Sequence, residues 1–310
     1  VLEIMASSEL LRNNQTEVDR ILARIESLEH ENDPHFSASR LATTRAEHHL
    51  MRSEYRDALA LLHGTVDDVE PHTETWYLLH QLFALAYSFV CDWDALKQVE
   101  RVIQEGPSRH LSNISQTHAR VAIAHHFLGE NREAERRLQQ AEFNASQIRN
   151  DFDRVDALRT LSTCYLVRGD HQHAGELAQA GLAASLRHTA TYPVLTLLMT
   201  LVEVAAAQNQ RDAIVFYLQE ADLLVNSSVL LPNRDLMLYH YFSWQVLEDG
   251  EERARHRDAG VAALRHELEA IGEPEAVDAF YKLRSYDRLR RELVGGGALG
   301  GDEATGAGGG

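Results

Sequence analysis

The sequence is poor in lysine and cysteine, and each shortage excludes a class of function. Only two of the 30 basic residues are lysines, and the excess of acidic side chains gives a formal charge of −17. Because phosphate contacts require clustered Lys and Arg, we expect no direct binding of nucleic acid or of an anionic membrane. The two cysteines, Cys91 and Cys164, lie far apart and form neither a disulfide framework nor a ligand pair. This usage predicts a reducing, cytoplasmic setting.

Long apolar runs and strand-like patterns are also missing. No apolar run approaches the roughly 20 residues of a membrane span, and the first five residues do not resemble a signal peptide. No alternating run of β-branched residues predicts a strand. The six prolines lie in polar stretches between apolar segments, where a missing N–H and a fixed φ begin or end helices. The sequence therefore predicts an all-α chain.

Small residues recur along the chain with a nearly constant period. Five alanines follow one another at intervals of 37, 39, 40 and 39 residues: Ala58, Ala95, Ala134, Ala174 and Ala213. About twelve residues before each lies the middle of an apolar stretch, at Ala46, Ala84, Ala122, Ser162 and Leu201. Two small residues separated by a polar break suit two antiparallel helices that cross closely, and such a period is typical of helical repeats.

Seven helix hairpins follow from this pattern. The predicted helices are 2–13 with 16–30, 38–52 with 54–69, 74–90 with 93–105, 112–128 with 131–147, 153–168 with 171–187, 193–208 with 211–226, and 235–248 with 250–271. A change of pattern over 273–294 predicts short capping helices, which a solenoid needs to cover its last apolar face. The tail 295–310 is glycine-rich and is expected to be disordered.

One repeat carries a family pattern. Leu158-x₂-Leu161-Ser162-x₂-Tyr165, followed by Ala174-x₃-Ala178, resembles the tetratricopeptide repeat. The resemblance implies a right-handed α-α superhelix over 1–294, with the best-matching repeats in 38–226. A period near 39 is also similar to repeat arrays of bacterial multidomain signalling and transcriptional regulators.

In such a solenoid, the first helices of successive hairpins line a concave groove that binds a partner. The groove residues predicted from helix register are Arg40, Thr43, Glu47, Gln81, Phe89, Gln116, Arg120, Ile123, His126, Asp156, Arg159, Thr163 and Leu198. The same register places Leu195, Leu198 and Val202 on an apolar C-terminal part of the groove.

The function predicted is that of a non-catalytic module that binds another protein, a peptide or a neighbouring domain, within a bacterial regulatory protein. Two alternatives remain open. The apolar face near Leu195–Val202 favours a homo-oligomerisation or structural module, and the architecture also suits a regulator that senses a peptide or small molecule.

No catalytic or cofactor motif is present in the sequence. It has no Gly-rich phosphate loop, no Gly-x-Ser-x-Gly and no cysteine beside an organised base, so neither an enzyme nor a cofactor is expected. Among 17 histidines, His171 and His173 follow Asp170 and resemble a metal-ligand set. Residues two apart on a helix point in different directions, so no metal site is predicted there.

Overall fold

A computed structural model describes residues 38–103, 111–185, 192–226 and 231–294, together with five single residues between positions 17 and 24. Within these ranges the chain is helical and has no strand. The helices are α1 (Ala38–Met51), α2 (Tyr55–Thr65), α3 (Glu74–Phe89), α4 (Trp93–Ile103), α5 (Leu111–Phe127), α6 (Asn131–Ser146), α7 (Asp151–Val167), α8 (His171–Ser185), α9 (Tyr192–Ala207), α10 (Arg211–Val225), α11 (Asn233–Val246), α12 (Glu251–Ile271), α13 (Pro274–Tyr281) and α14 (Tyr286–Val294). The first predicted hairpin and the tail 295–310 lie outside the described residues.

Consecutive helices from α1 to α12 pack against each other as hairpins. Most of their ends lie within two residues of the predicted bounds. The all-α, tetratricopeptide-like solenoid predicted from the sequence is therefore confirmed in the part of the chain that the structure describes.

The same backbone turn closes five of these hairpins. A residue with positive φ follows the first helix each time, at Ser53, Cys91, Gly129, Gly169 and Asn209. At Gly129 the glycine N–H donates to the His126 carbonyl at 3.1 Å, and the following N–H, from Glu130, donates to the His125 carbonyl at 2.8 Å. These two bonds satisfy carbonyls that the end of a helix leaves unpaired, which is the Schellman arrangement.

The small residues lie where these hairpins cross, with two exceptions. Ala46, Ala84, Ala122 and Ser162 are fully buried in the first helices, and Ala58, Ala134 and Ala174 are fully buried in the second helices. The expectation was wrong for Ala95 and Ala213, which are only half-buried.

Leu96 and Ile214 take the positions predicted for those two alanines. Their N–H groups bond to the residue after the turn, Asp92 and Gln210, as the N–H of Ala134 bonds to Glu130. The repeats there differ by one residue from the intervals counted between alanines. The turn, rather than the alanine, marks the register.

The array curves with its first helices inside. Each first helix packs on the first helix of the next hairpin, in the order α1, α3, α5, α7, α9 and α11. Consecutive second helices make few contacts or none. The curve brings the last hairpin back to the first described one, since α12 contacts α2. The short helices α13 and α14 pack on α12 and complete the closure around a central channel.

Candidate binding channel

The channel holds a cavity of ≈ 110 Å³ that is lined by first helices from several repeats. Five of the predicted groove residues lie on its wall: Phe89, Arg120, Ile123, Arg159 and Thr163. Leu50, Leu85, Trp93 and Val167 add apolar surface. Because the wall mixes apolar side chains with guanidinium groups, it suits a ligand that has both apolar and polar parts.

A buried polar row crosses three first helices at one side of the cavity. The side-chain oxygen of Gln116 on α5 accepts bonds from Gln81 Nε2 on α3 at 3.2 Å and from the Thr160 hydroxyl on α7 at 3.4 Å. The Arg120 guanidinium lies 3.4 and 3.5 Å from the same oxygen. Gln81, Gln116 and Arg120, which the sequence assigned to one groove, therefore bond to one another, and the Gln116 amide orients donors from three repeats.

The charge of Asp156 on α7 affects the ionisation of Glu47 on α1 and of Asp153, and we call Glu47, Asp153 and Asp156 the acidic cluster. Arg159 donates to Asp156 at 3.2 Å. Burial, with a smaller contribution from the Asp156 charge, raises the pKa of Glu47 to about 7 against the opposing charge of Arg159. Burial also raises the pKa of Asp153, with Asp156 and Glu74 adding to the effect. Arg159 carries one positive charge against three carboxylates, so it offsets only part of their negative charge.

The contact between the first and last described hairpins centres on one buried carboxylate, and we call this carboxylate and its partners the closing network. Glu267 of α12 is fully buried and pairs with Arg234 of α11. Its carboxylate also accepts the Tyr55 hydroxyl at 2.7 Å, the Ser53 hydroxyl at 3.2 Å and the Asn233 amide at 3.2 Å. Tyr55 and Ser53 belong to the first described hairpin, so this carboxylate joins the two ends of the array.

Arg234 also lies among aromatic rings. Its guanidinium carbon is 4.7 Å from the ring centre of Phe89, 5.0 Å from that of Phe280 and 5.7 Å from that of Tyr55. Its terminal nitrogen donates to the Phe89 carbonyl at 2.5 Å. Such contacts hold a buried guanidinium through both charge and stacking.

The turn before α14 inserts a second arginine into the channel. Arg284, with φ of +46°, pairs with Glu203 of α9 and lies 3.6 Å from Asp235 of α11. The Thr196 hydroxyl donates to Asp235 at 2.6 Å. Sequence reasoning missed Arg284, Glu203, Arg234 and Glu267. Charged residues inside apolar helical segments, such as Glu203, were the available signal.

Eight of the thirteen predicted groove residues do not line the cavity, and four of these belong neither to the polar row nor to the acidic cluster. Thr43 is buried and donates to the Arg40 carbonyl at 2.8 Å, and Arg40 is half-buried outside the wall. His126 lies beside the Phe127 ring, with 5.4 Å between ring centres. Leu198 is part of the hydrophobic core.

The C-terminal groove was misplaced by one position. The turn at Gly169 and the turn at Asn209 are 40 residues apart, not 39. Asp156 and Thr163 therefore correspond to Thr196 and Glu203 rather than to Leu195 and Val202. The latter two are fully buried in the core, so the apolar face that favoured oligomerisation is internal.

Three histidines, in α1, α5 and α8, have a carboxylate partner within their own hairpin. His49 Nδ1 lies 2.7 Å from Glu54, and His125 contacts Glu130 at the same position of its repeat. His173 bonds to Asp170 at 2.7 Å and stacks on Tyr165, with 5.2 Å between ring centres.

Together, the described residues form a closed, tetratricopeptide-like helical repeat around a central channel, and none of their helices has the length and apolar character needed to cross a membrane. No protein-family model and no curated protein matches the chain. Among solved structures, it is similar to NprR in complex with its cognate peptide NprX, at 13% identity and a TM-score of 0.48, over 96% of this chain and 84% of that chain.

Proposed function

We propose that the chain is a non-catalytic binding module that holds an extended peptide, or a segment of a partner protein, in its central channel. The observation that carries this proposal is the convergence of donors from Gln81, Arg120 and Thr160, in three repeats, on the side-chain oxygen of Gln116 beside the cavity. Amide and guanidinium donors arranged in a row suit a peptide backbone, and the apolar wall suits one or two anchoring side chains.

The acidic cluster indicates the charge of the partner. Burial, and after it the charge of Asp156, disfavours the ionised form of Glu47 and raises its pKa to about 7. A lysine or arginine side chain, or a peptide amino terminus, would allow Glu47 to ionise and would relieve this repulsion. We therefore infer a partner segment that carries a basic group, in keeping with the formal charge of −17.

A pool of labelled peptides tests this proposal. Fluorescein-labelled random hexapeptides with lysine fixed at one position, or with glutamate or leucine fixed there, are titrated with the protein by fluorescence anisotropy. The lysine pools are expected to bind more tightly than the glutamate pools by roughly ten-fold, which corresponds to ~1.4 kcal/mol.

A matched pair of variants locates the binding. Glu47→Gln is expected to remove most of the preference for lysine, because it removes the carboxylate that the basic group neutralises. Glu220→Gln changes the same residue type on the exposed surface of α10 and should leave the preference unchanged. Equal binding of all pools, or an equal effect of both variants, would contradict the proposal.

The regulatory role is part of the same proposal. In a bacterial regulator, occupancy of the channel would act on the closing network, because Phe89 both lines the cavity and contacts Arg234. A ligand that binds the closed and open forms differently shifts the balance between them.

A further inference from the structure

A second cavity lies between α10, α11 and α12, and it shares no lining residue with the channel. Its wall includes His240 on α11 and His256 on α12. The Nδ1 atoms of these two rings are 3.2 Å apart, with ring centres 5.1 Å apart and planes at 61°. Nitrogens from two helices thus converge on one point beside solvent-accessible space.

This separation fits two ligands of one metal ion. Two imidazole nitrogens bound at about 2.0–2.1 Å around a tetrahedral ion lie roughly 3.3 Å apart. We propose that His240 and His256 form a binding site for a divalent transition-metal ion of the zinc class. In the ion's absence, the same distance allows one neutral ring to donate its N–H to the other.

Burial disfavours the charged form of both rings. Burial, with a smaller contribution from the His256 charge, lowers the pKa of His240 to about 4. Burial also lowers the pKa of His256; the charges of Glu252 and Asp222 oppose this shift, and that of Arg255 adds to it.

Carboxylates near the pair supply negative charge and a further ligand. Glu252 lies four residues before His256 on α12, hence on the same face, and its side chain is exposed. Asp222 accepts the Tyr239 hydroxyl, and the Tyr239 ring lies 5.1 Å from His240 and 5.5 Å from His256. Glu252 is thus placed to supply a third ligand once its exposed side chain turns towards the rings, whereas Asp222 fixes the ring that packs on both histidines.

Two other clusters of potential ligands have three donor atoms within 4.8 Å of one another, but an arginine pairs with each of them. Glu100, His125 and Glu133 are close enough to hold an ion, but Arg137 pairs with both glutamates. His49, Glu54 and Asp57 form another such group, in which Arg52 pairs with Glu54 at 3.0 Å. A cation already neutralises each of those groups. Within the described ranges, no arginine bonds to His240 or His256.

Metal titration of the chain without a polyhistidine tag tests the site. Binding of ZnCl₂ is followed by isothermal titration calorimetry, and binding of CoCl₂ is followed by the visible absorption of the bound ion. We expect one equivalent to bind to the unaltered chain, with tetrahedral cobalt absorption. His256→Ala should weaken binding at least ten-fold, and Glu252→Gln should weaken it less.

A second pair of histidines provides the control. His171→Ala/His173→Ala removes two rings from another hairpin and should leave the affinity unchanged. His256 is only half-buried, so circular dichroism should show an intact fold in His256→Ala. The proposal is overturned if zinc binds equally to the unaltered chain and to His256→Ala, if it fails to bind, or if only the control variant loses binding.

Discussion

Glu47 shows how a single residue reports the shape of the channel. It belongs to the first described repeat, yet the charges that act on it are Asp156 and Arg159, which come from the fourth described first helix. Such coupling requires a narrow channel, because exposed charges more than about 10 Å apart are screened at ordinary ionic strength. The contributions of these two charges to the pKa of Glu47 therefore depend on how strongly the array curves.

Glu47→Gln is expected to stabilise the fold at alkaline pH. The folded-state pKa of about 7 lies above the unfolded value, so the folded form holds its proton more tightly. Glu47 consequently lowers stability as pH rises from about 4.5 through 7, by at most about 3 kcal/mol. The variant should match the unaltered chain in urea unfolding near pH 5 and exceed it by about 1–3 kcal/mol at pH 8. A constant difference across this range would contradict the assignment.

The sequence could bring side chains together where the repeat register is regular. Gln81, Gln116 and Arg120 were assigned to one groove from helix register, and they bond to one another because each first helix presents one face inward. Leu198 failed because an error of one residue rotates a position by about 100° around a helix. A polar face at Thr196 and Glu203 was thereby read as an apolar one.

At the scale of helices and turns, the backbone marks the register better than side-chain type does. A crossing of two helices can hold side chains of different sizes. Leu96 takes the crossing position in α4, and Ile214 takes it in α10. A Schellman turn, by contrast, requires a residue with positive φ at one position, whichever side chain it carries. Gly129 and Gly169 reveal this position in the sequence, whereas Ser53, Cys91 and Asn209 do not.

Two glycines of α8 should respond oppositely to alanine. A Cβ on Gly181 would lie 2.9 and 3.0 Å from the methyl carbons of Leu197, which is fully buried on α9. A Cβ on Gly175 would lie 3.4 Å from Val204, an ordinary contact. Overpacking costs ~1–3 kcal/mol, whereas alanine in a helix gains up to ~1 kcal/mol over glycine.

We therefore expect Gly175→Ala to stabilise the chain and Gly181→Ala to destabilise it. Urea unfolding midpoints of the two variants, each compared with the unaltered chain, measure both effects. Shifts in the same direction would show that the close approach of α8 and α9 at Gly181 does not limit packing.

At the scale of the whole molecule, the contact between the first and last described hairpins could not be predicted from the repeat pattern. Each repeat contacts mainly its neighbours, and the overall curvature is the sum of small rotations that no single repeat encodes. The residues that join the ends are separated by more than 200 positions, as in the bond from Tyr55 to Glu267. Arg234 and Glu267 consequently had no recognisable motif, although the ends of α11 and α12 were predicted to within two residues.

The closing network offers a test of whether closure is the stable state. In Glu267→Ala, Arg234 loses its carboxylate inside the protein, and breaking such a pair costs about 3–5 kcal/mol. We expect the radius of gyration from small-angle scattering to increase and the free energy of unfolding to fall. Arg56 and Glu273 bridge the same junction at 3.5 Å with exposed side chains, so Glu273→Ala is a matched control worth ~1 kcal/mol or less. Identical scattering from the unaltered chain and both variants, at equal protein concentration, would mean that packing rather than the buried ion pair keeps the channel closed.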